Sequence, residues 1–367
     1  MMNIEAAVAS DPTTPFQIET LELEEPRADE IRVRLVATGI CHTDIAVKQQ
    51  DIKLPLPMVL GHEGAGVVES IGSAVTHLMA GDHVVLSGDS CGVCKSCQHG
   101  LPSYCDEFIE RNLTGRRVDG SSPIHQHGQP LHGRFVGQSS FATHSLVPAR
   151  AAIKLNKEYP LELLGPLGCG LTTGVGTVTN ALRPRAGSRI AIFGAGTVGL
   201  AATMGAVLSG CESIVVVDPV ESRRDMAISL GATLCLDPSA GDVAKEILSI
   251  VPGGVDFSVE CSGVATAVAA AIECLARPGW CAQVGATPAQ TIHPLDMDHL
   301  GFGRGIKGVV MGDANPQTFV PYLANLYTQG RLPYDRFVKF YDFADINTAI
   351  ADSKNGDVIK PILRISD

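Results

Sequence analysis

The sequence predicts an α/β protein of two domains, one a doubly wound parallel sheet with its helices and the other a β-rich lobe. Three observations predict it. From Leu182 onward, apolar runs such as Arg189-Ile-Ala-Ile-Phe193 and Ser213-Ile-Val-Val-Val-Asp218 alternate with Ala-rich stretches of helical composition, the pattern of βαβ units. The first half reads instead as short alternating strands, as at 31–37 and 64–70, broken by Gly and Pro turns. A chain of 367 residues also exceeds what one core ordinarily serves. Near 304–312 the α/β pattern gives way, and the tail 358–364 reads as a strand returning to the first lobe. The β-rich domain is therefore expected over 1–170 and 305–367, and the parallel-sheet domain over 171–304.

Composition removes several kinds of partner. A formal charge of −11, from 28 Lys and Arg against 39 Asp and Glu, argues against nucleic acid or an anionic membrane. No apolar stretch reaches the roughly 18 residues of a membrane span. Residues 1–16 carry no apolar run behind a basic one, so no targeting peptide is expected. The expected location is the cytoplasm, where 11 cysteines persist reduced or metal-bound.

Within the β-rich lobe, Cys91-x2-Cys94-x2-Cys97-x7-Cys105 places four thiols on a short loop punctuated by Gly92, Gly100 and Pro102. Four thiolates close a tetrahedral zinc site and leave no position for a substrate, so this metal is expected to be structural. The alternatives are a disulfide knot, which a reducing compartment disfavours, or four unrelated buried thiols. In the second domain, Gly194-Ala-Gly196-Thr197-Val198-Gly199 follows an apolar strand and opens a helix. Its glycines allow a tight turn, let backbone N–H groups reach a pyrophosphate, and pack the helix closely. Asp218 ends the next strand, where a carboxylate binds ribose hydroxyls and repels the extra phosphate of NADP, which favours NAD; Arg223 and Arg224 lie near enough to soften that preference.

A second set of metal-binding residue types is scattered. Cys41-His42-Thr43-Asp44, Gly61-His62-Glu63 and Gly168-Cys169-Gly170 offer two thiolates, an imidazole and carboxylates. They suit a three-ligand zinc with one open position, or else packed core residues that never meet.

Taken in order, the Cys41 turn, the run Gly61-His-Glu-Gly-Ala-Gly66, the cysteine lobe, Gly168-Cys-Gly170 and the Gly194 fingerprint resemble the zinc-dependent medium-chain alcohol dehydrogenases over essentially the whole chain. The resemblance implies a GroES-like catalytic domain, a Rossmann domain binding NAD, and two zinc ions per chain. It also implies Cys41, His62 and Cys169 as catalytic zinc ligands, with Glu63 the nearby carboxylate that approaches the metal during ligand exchange. Asp44 would orient His62, since such an acceptor fixes the imidazole tautomer. Thr43 would hydrogen-bond the substrate alcohol and start a proton relay, and His42 and Lys360 would contact the cofactor pyrophosphate. Zinc would act as a Lewis acid that eases loss of the alcohol proton, and NAD would take the hydride. One departure stands out: where many relatives carry a relay histidine, this chain has Ala46, followed by Val47, so the relay is expected to end in a ribose hydroxyl, water or His42.

Ser87 falls near a place where relatives carry a bulky aromatic, and its small side chain implies room for a ring or branched chain. The segments 138–143 and 166–174 resemble the aryl (benzyl) alcohol dehydrogenase branch and also the S-(hydroxymethyl)glutathione (formaldehyde) dehydrogenase branch. The expected substrate is a primary aromatic or allylic alcohol. The glutathione alternative would draw on Arg111, Arg116, Arg117 or Arg134 to hold a glycine carboxylate. A non-enzymatic zinc and NAD-binding protein is the alternative from another class, and it gives no reason for Cys41, Thr43, His62 and Cys169 to occur together. Shorter relatives that form tetramers lack an insertion at the long connection 112–137, so the resemblance implies a homodimer; its His125, His127 and His132 are read as solvated. Cys211, Cys235, Cys261, Cys274 and Cys281 lie on apolar segments and are expected to be packing residues.

Overall fold

Ile31, Val33 and Leu35 alternate with Arg32 and Arg34, and apolar residues at a period of two can bury only one face of a strand. In a computed structural model, describing residues 1–287 and 291–366, this segment is the strand Glu30–Gly39. The three aliphatic side chains are fully buried in one cluster with Val68, Val84 and Leu86. Burial of that kind stabilises by about 1.5–3 kcal/mol per side chain. Glu30–Gly39 pairs antiparallel with Glu63–Ile71, with His144–Pro148 and with Lys360–Arg364. The tail therefore returns to the first lobe, within a seven-stranded sheet, while Met2–Ala9 and Gln17–Leu23 sit in a separate five-stranded one.

The chain divides into two units, the first comprising Met1–Cys169, Asn315–Gly330 and the chain from Asp335 onward, the second Gly170–Ala314 with 331–334. The second unit holds a six-stranded parallel sheet in the order Leu234–Leu236, Ser213–Val217, Arg189–Phe193, Val255–Glu260, Leu275–Gln283, Arg304–Gly308. Two of its central strands, Arg189–Phe193 and Ser213–Val217, are apolar without alternation, as expected of strands covered on both faces: Ile190, Ala191, Ile192, Val215 and Val216 are all fully buried. Strand order reverses between Arg189–Phe193 and Val255–Glu260, the switch point at which such sheets bind ligands. The boundary expected at 305 lies later, because Arg304–Gly308 pairs parallel with Leu275–Gln283 and keeps the chain in this unit to Ala314.

The connection 112–137 is not a solvated loop. It forms the hairpin Ile124–Gln126 and Gln129–Leu131, joined to Gln17–Leu23, and drives two arginines inward. Arg117 binds both oxygens of the buried Glu30 carboxylate at 2.8 and 2.9 Å, and Arg134 adds a third contact at 2.6 Å. His125 is bonded to Glu24 and His132 to the Pro57 carbonyl, so neither is merely solvated. A polar, aperiodic stretch reads as a loop, but paired charges can be buried where single ones cannot. Burial raises the Glu30 pKa, and the arginines outweigh it, leaving the group below the usual carboxylate range. A depressed folded pKa means stabilisation that is present above the ordinary value of about 4.3 and lost as pH falls through the lower one.

Replacing Glu30 by Gln removes the charge facing two buried guanidinium groups, leaving Arg117 with Glu24 and Arg134 with the more distant Asp89, and should lower unfolding free energy by about 3–5 kcal/mol. Urea titration at unchanged slope checks this, and a midpoint equal to the parent's would remove the network from the account of stability.

Candidate metal and cofactor sites

The short helix His42–Lys48 begins at Cys41, and its third residue, Asp44, turns back on the start of its own helix. The Cys41 N–H donates to Asp44 Oδ2 at 2.9 Å, while Oδ1 accepts from the Gly61 N–H at 3.0 Å and from His62 Nδ1 at 2.9 Å. Because Nδ1 donates to this carboxylate, Nε2 is the nitrogen that offers a lone pair once the ring is neutral. His62 is held further by Phe135, edge-on at 5.4 Å between ring centroids, and by Gln138, which donates to the His62 carbonyl and accepts from the Gly64 N–H. Phe135 and Gln138 are contributions the sequence did not flag, since an apolar ring and an amide on a loop carry no metal signature.

Cys169 arrives by close packing. It follows the 3-10 turn Gly165–Gly168, where a Cβ on Gly165 would lie 2.2 Å from the Glu63 carbonyl oxygen and one on Gly168 2.1 Å from that of Leu86. Ser87 is buried with its hydroxyl on the Gly168 carbonyl at 2.9 Å, so this small residue tethers the backbone beside Cys169. Cys41, His62 and Cys169 then bring their ligand atoms within 4.8 Å of one another. Thr43 stands beside them, with Oγ1 3.8 Å from Cys41 Sγ.

Glu63 and Lys360 are both buried, and the ammonium contacts the two carboxylate oxygens at 3.1 and 2.9 Å and the Ile40 carbonyl at 2.9 Å. Gly39 makes the room, since a Cβ there would sit 2.0 Å from Glu63 Oε2. Lys360 is therefore an interior partner of Glu63 rather than a surface cation, whereas His42 is exposed at the first position of its helix. Burial raises the Glu63 pKa against the pull of Lys360. The hydrogen bond with Cys169 is the main influence holding the Cys41 thiol low, and the same bond pushes Cys169 up. Burial opposes a charged His62, but Asp44 and Cys41 outweigh it and hold its pKa well above the ordinary value. A site that favours charge on Cys41 and crowds a second sulfur and an imidazole lone pair around it fits a thiophilic divalent cation, which would make both sulfurs thiolates and the ring neutral.

Cys91, Cys94, Cys97 and Cys105 likewise converge within 4.8 Å. All eleven cysteines are free thiols, and Cys91 Sγ lies 4.0 Å from Cys97 Sγ. Tetrahedral zinc with bonds of about 2.3 Å separates its sulfurs by about 3.8 Å, so the spacing suits a shared ion rather than a disulfide. Gly92 and Gly100 take φ of +74° and +78°, left-handed turns that wrap the loop around its sulfurs. N–H groups of Cys91 and Cys94 donate to Cys105 and Cys91 sulfurs at 3.2 and 3.3 Å. Backbone donors, with Asp106 foremost, lower the Cys94 pKa to about 6, and burial pushes Cys105 up to about 12.

In the second unit Gly194 turns with φ +94°, Gly196 caps the helix Thr197–Leu208, and a Cβ on Gly199 would lie 1.7 Å from the Gly194 carbonyl oxygen. Thr197 and Val198, in the first turn of that helix, are half-buried. Asp218 accepts from the Ala195 N–H at 2.7 Å and the Val220 N–H at 2.9 Å, which ties the fingerprint to the next strand. Arg224 binds the Asp218 carbonyl and pairs with Asp237, while Arg223 Nε is buried without a partner among the described residues.

Such a sheet in one unit, together with an open set of two cysteines and a histidine and a closed set of four cysteines in the other, defines the zinc-dependent dehydrogenases of the medium-chain type. The sequence matches the alcohol dehydrogenase GroES-like domain over 27–157 and the zinc-binding dehydrogenase domain over 197–328. A zinc-binding alcohol dehydrogenase domain protein from Burkholderia ambifaria is 47% identical with a TM-score of 0.97, and benzyl alcohol dehydrogenase from Acinetobacter calcoaceticus is 42% identical at 0.96; each match covers 100% of both chains. Geraniol dehydrogenase from Castellaniella defragrans is 39% identical over 99% of this chain and 98% of its own. The chain belongs to the zinc-dependent medium-chain alcohol dehydrogenase family, with a GroES-like domain and a Rossmann domain. No helix among the described residues is long and apolar enough to cross a membrane.

Replacing Asp44 by Ala removes the acceptor that fixes His62 and should weaken zinc at the Cys41 set about 10- to 100-fold. Replacing Cys97 by Ser should remove the second zinc instead and lower the melting temperature. Metal analysis after dialysis against a graded chelator separates the two, and equal zinc content in both variants and the parent would refute both assignments.

Proposed function

We propose that this protein oxidises a primary alcohol whose carbinol carbon adjoins a π system, aromatic or allylic, to the aldehyde with NAD as hydride acceptor. The observation that carries the reading is the convergence of Cys41, His62 and Cys169 with Asp44 behind them and Thr43 beside them. When bound, zinc supplies Lewis-acid polarisation of the alcohol oxygen, and NAD supplies the acceptor carbon. Thr43 Oγ1 accepts the substrate hydroxyl proton and passes its own onward; with Ala46 buried, the exposed His42, a ribose hydroxyl or water receives it. Asp44 keeps His62 in the tautomer that offers Nε2. Asp218, joined to the Ala195 N–H, presents a carboxylate at the ribose end of the fingerprint and favours NAD over NADP.

Benzyl alcohol and geraniol, named for two relatives, share a conjugated carbinol carbon, and the small Ser87 is compatible with such a substrate. Conjugation stabilises the aldehyde formed. The glutathione reading is weakened by the fate of its arginines: Arg117 and Arg134 are buried on Glu30, and Arg111 is paired with Asp89 and Glu107. We also propose a homodimer in the cytoplasm, where free thiols and thiolate-bound zinc persist.

NADH formation by the zinc-replete protein, compared for benzyl alcohol, geraniol, ethanol and S-(hydroxymethyl)glutathione with NAD and with NADP, tests the reading. The conjugated alcohols with NAD should give the highest kcat/KM. Thr43→Ala should lower kcat about 100- to 10,000-fold while Thr43→Ser retains activity. Turnover confined to the glutathione adduct, or preference for NADP, would overturn the corresponding part.

A further inference from the structure

The parallel sheet has two edges, and the Gly194 fingerprint and Asp218 lie at the carboxyl ends of its strands. At the opposite edge is an open cleft of about 1180 Å³, lined by the first residues of several strands, among them Arg189, Leu275 and Arg304. Six of its lining side chains are Arg or Lys against three Asp or Glu, the reverse of the whole chain's 28 against 39. Two of the acidic groups are occupied, Asp256 with Arg189 and Asp242 with Lys245. Arg277 and Arg304 have no carboxylate partner among the described residues. Arg304 donates Nε to the Leu275 carbonyl and Nη1 to the His299 carbonyl, both at 2.9 Å, which fixes its planar fork and leaves further N–H donors free. Arg277 is exposed, with its guanidinium 4.4 Å from the centroid of the Phe302 ring and no hydrogen bond of its own among the described residues. Partial burial, then the neighbouring Arg277 charge, pulls the Arg304 pKa down, as expected of two cations held together without an anion.

Trp280 lines the same cleft and is 47% exposed. Its ring lies over Gly305 on the adjacent strand, where a Cβ would approach ring carbon Cζ3 to 2.4 Å. Glycine thus lets the ring settle on one side while much of it stays in solvent. An aromatic plane open to solvent beside unpaired guanidinium groups provides both contacts that a phosphorylated ring compound needs: stacking for the ring and forked N–H donors for the phosphates.

We propose that this cleft binds a polyphosphate ester carrying a planar ring, a nucleoside triphosphate in chemical class, at a site separate from the fingerprint edge. The phosphates lie between Arg277 and Arg304, with Arg185 on the cleft wall adding charge, and the ring stacks on Trp280. Being exposed and electrostatic, the interaction weakens with rising salt.

Trp280 is the chain's only tryptophan, so its emission reports this cleft alone. The holoprotein, saturated with NAD, is titrated with ATP and separately with inorganic tripolyphosphate at low ionic strength. ATP should change the emission saturably, bind at least about tenfold more weakly to Arg277→Gln, and recover in part with Arg277→Lys, a factor of ten being about 1.4 kcal/mol. Because Arg277 is exposed, both variants should keep the parent's melting temperature and alcohol oxidation. The proposal is overturned by an absence of saturable change, by equal affinity in Arg277→Gln, or by a change that appears only when NAD is left out. Tripolyphosphate binding as tightly as ATP would overturn the stacking role of Trp280.

Discussion

The Asp44 carboxylate is the contact on which the metal site depends. Two oxygens hold three N–H groups: one starts the helix at Cys41, one fixes the turn at Gly61, and one sets the His62 tautomer. Each alone would be an ordinary hydrogen bond to a charged group, about 1.5–3 kcal/mol. Shared by one fully buried group, they couple the position of one ligand to the orientation of another. The site is thereby placed before any ion enters it, and an arriving cation finds donors already converged.

A second carboxylate, Glu63, lies beside the same cavity and is managed differently. Its charge is balanced by an ammonium rather than by backbone donors, and the space for it is made by the missing side chain of Gly39. Gly165 and Gly168 do similar work for the backbone, letting the turn before Cys169 lie against two strands. Compact residues around the site are therefore as decisive as the ligands they bring together, because a single added methyl carbon would meet an oxygen at little over half its normal contact distance.

Much of this was legible in the sequence where chemistry is carried by spacing. The four-cysteine loop, the glycine fingerprint and the strand from Lys360 to Arg364 all lie where residue type and period put them. Motif spacing says nothing about contacts made over long separations, and those are the features that were missed or misplaced. Arg117 and Arg134 look like surface cations until Glu30 is seen between them, and Gln138 looks like a loop amide until it is found on the His62 carbonyl. The boundary was expected at 305 rather than after Ala314 for a related reason: Arg304-Gly-Ile-Lys-Gly308 lacks the apolar run of Arg189–Phe193 or Ser213–Val217, since an edge strand is covered less completely than a central one. Ser87 illustrates the limit differently, for its size was readable and its bond to Gly168 was not.

The pairing of Lys360 with Glu63 spans 297 residues, and the strand that carries Lys360 hydrogen-bonds to Glu30–Gly39. A nascent polypeptide emerging from the ribosome has Cys41, His62 and Cys169 in hand long before residue 360 is synthesised. Until then Glu63 has no counter-charge and the strand Glu30–Gly39 has an open flank at its end. Closure of this lobe is thus tied to near-complete translation, because the buried partner of Glu63 is among the last residues to be made.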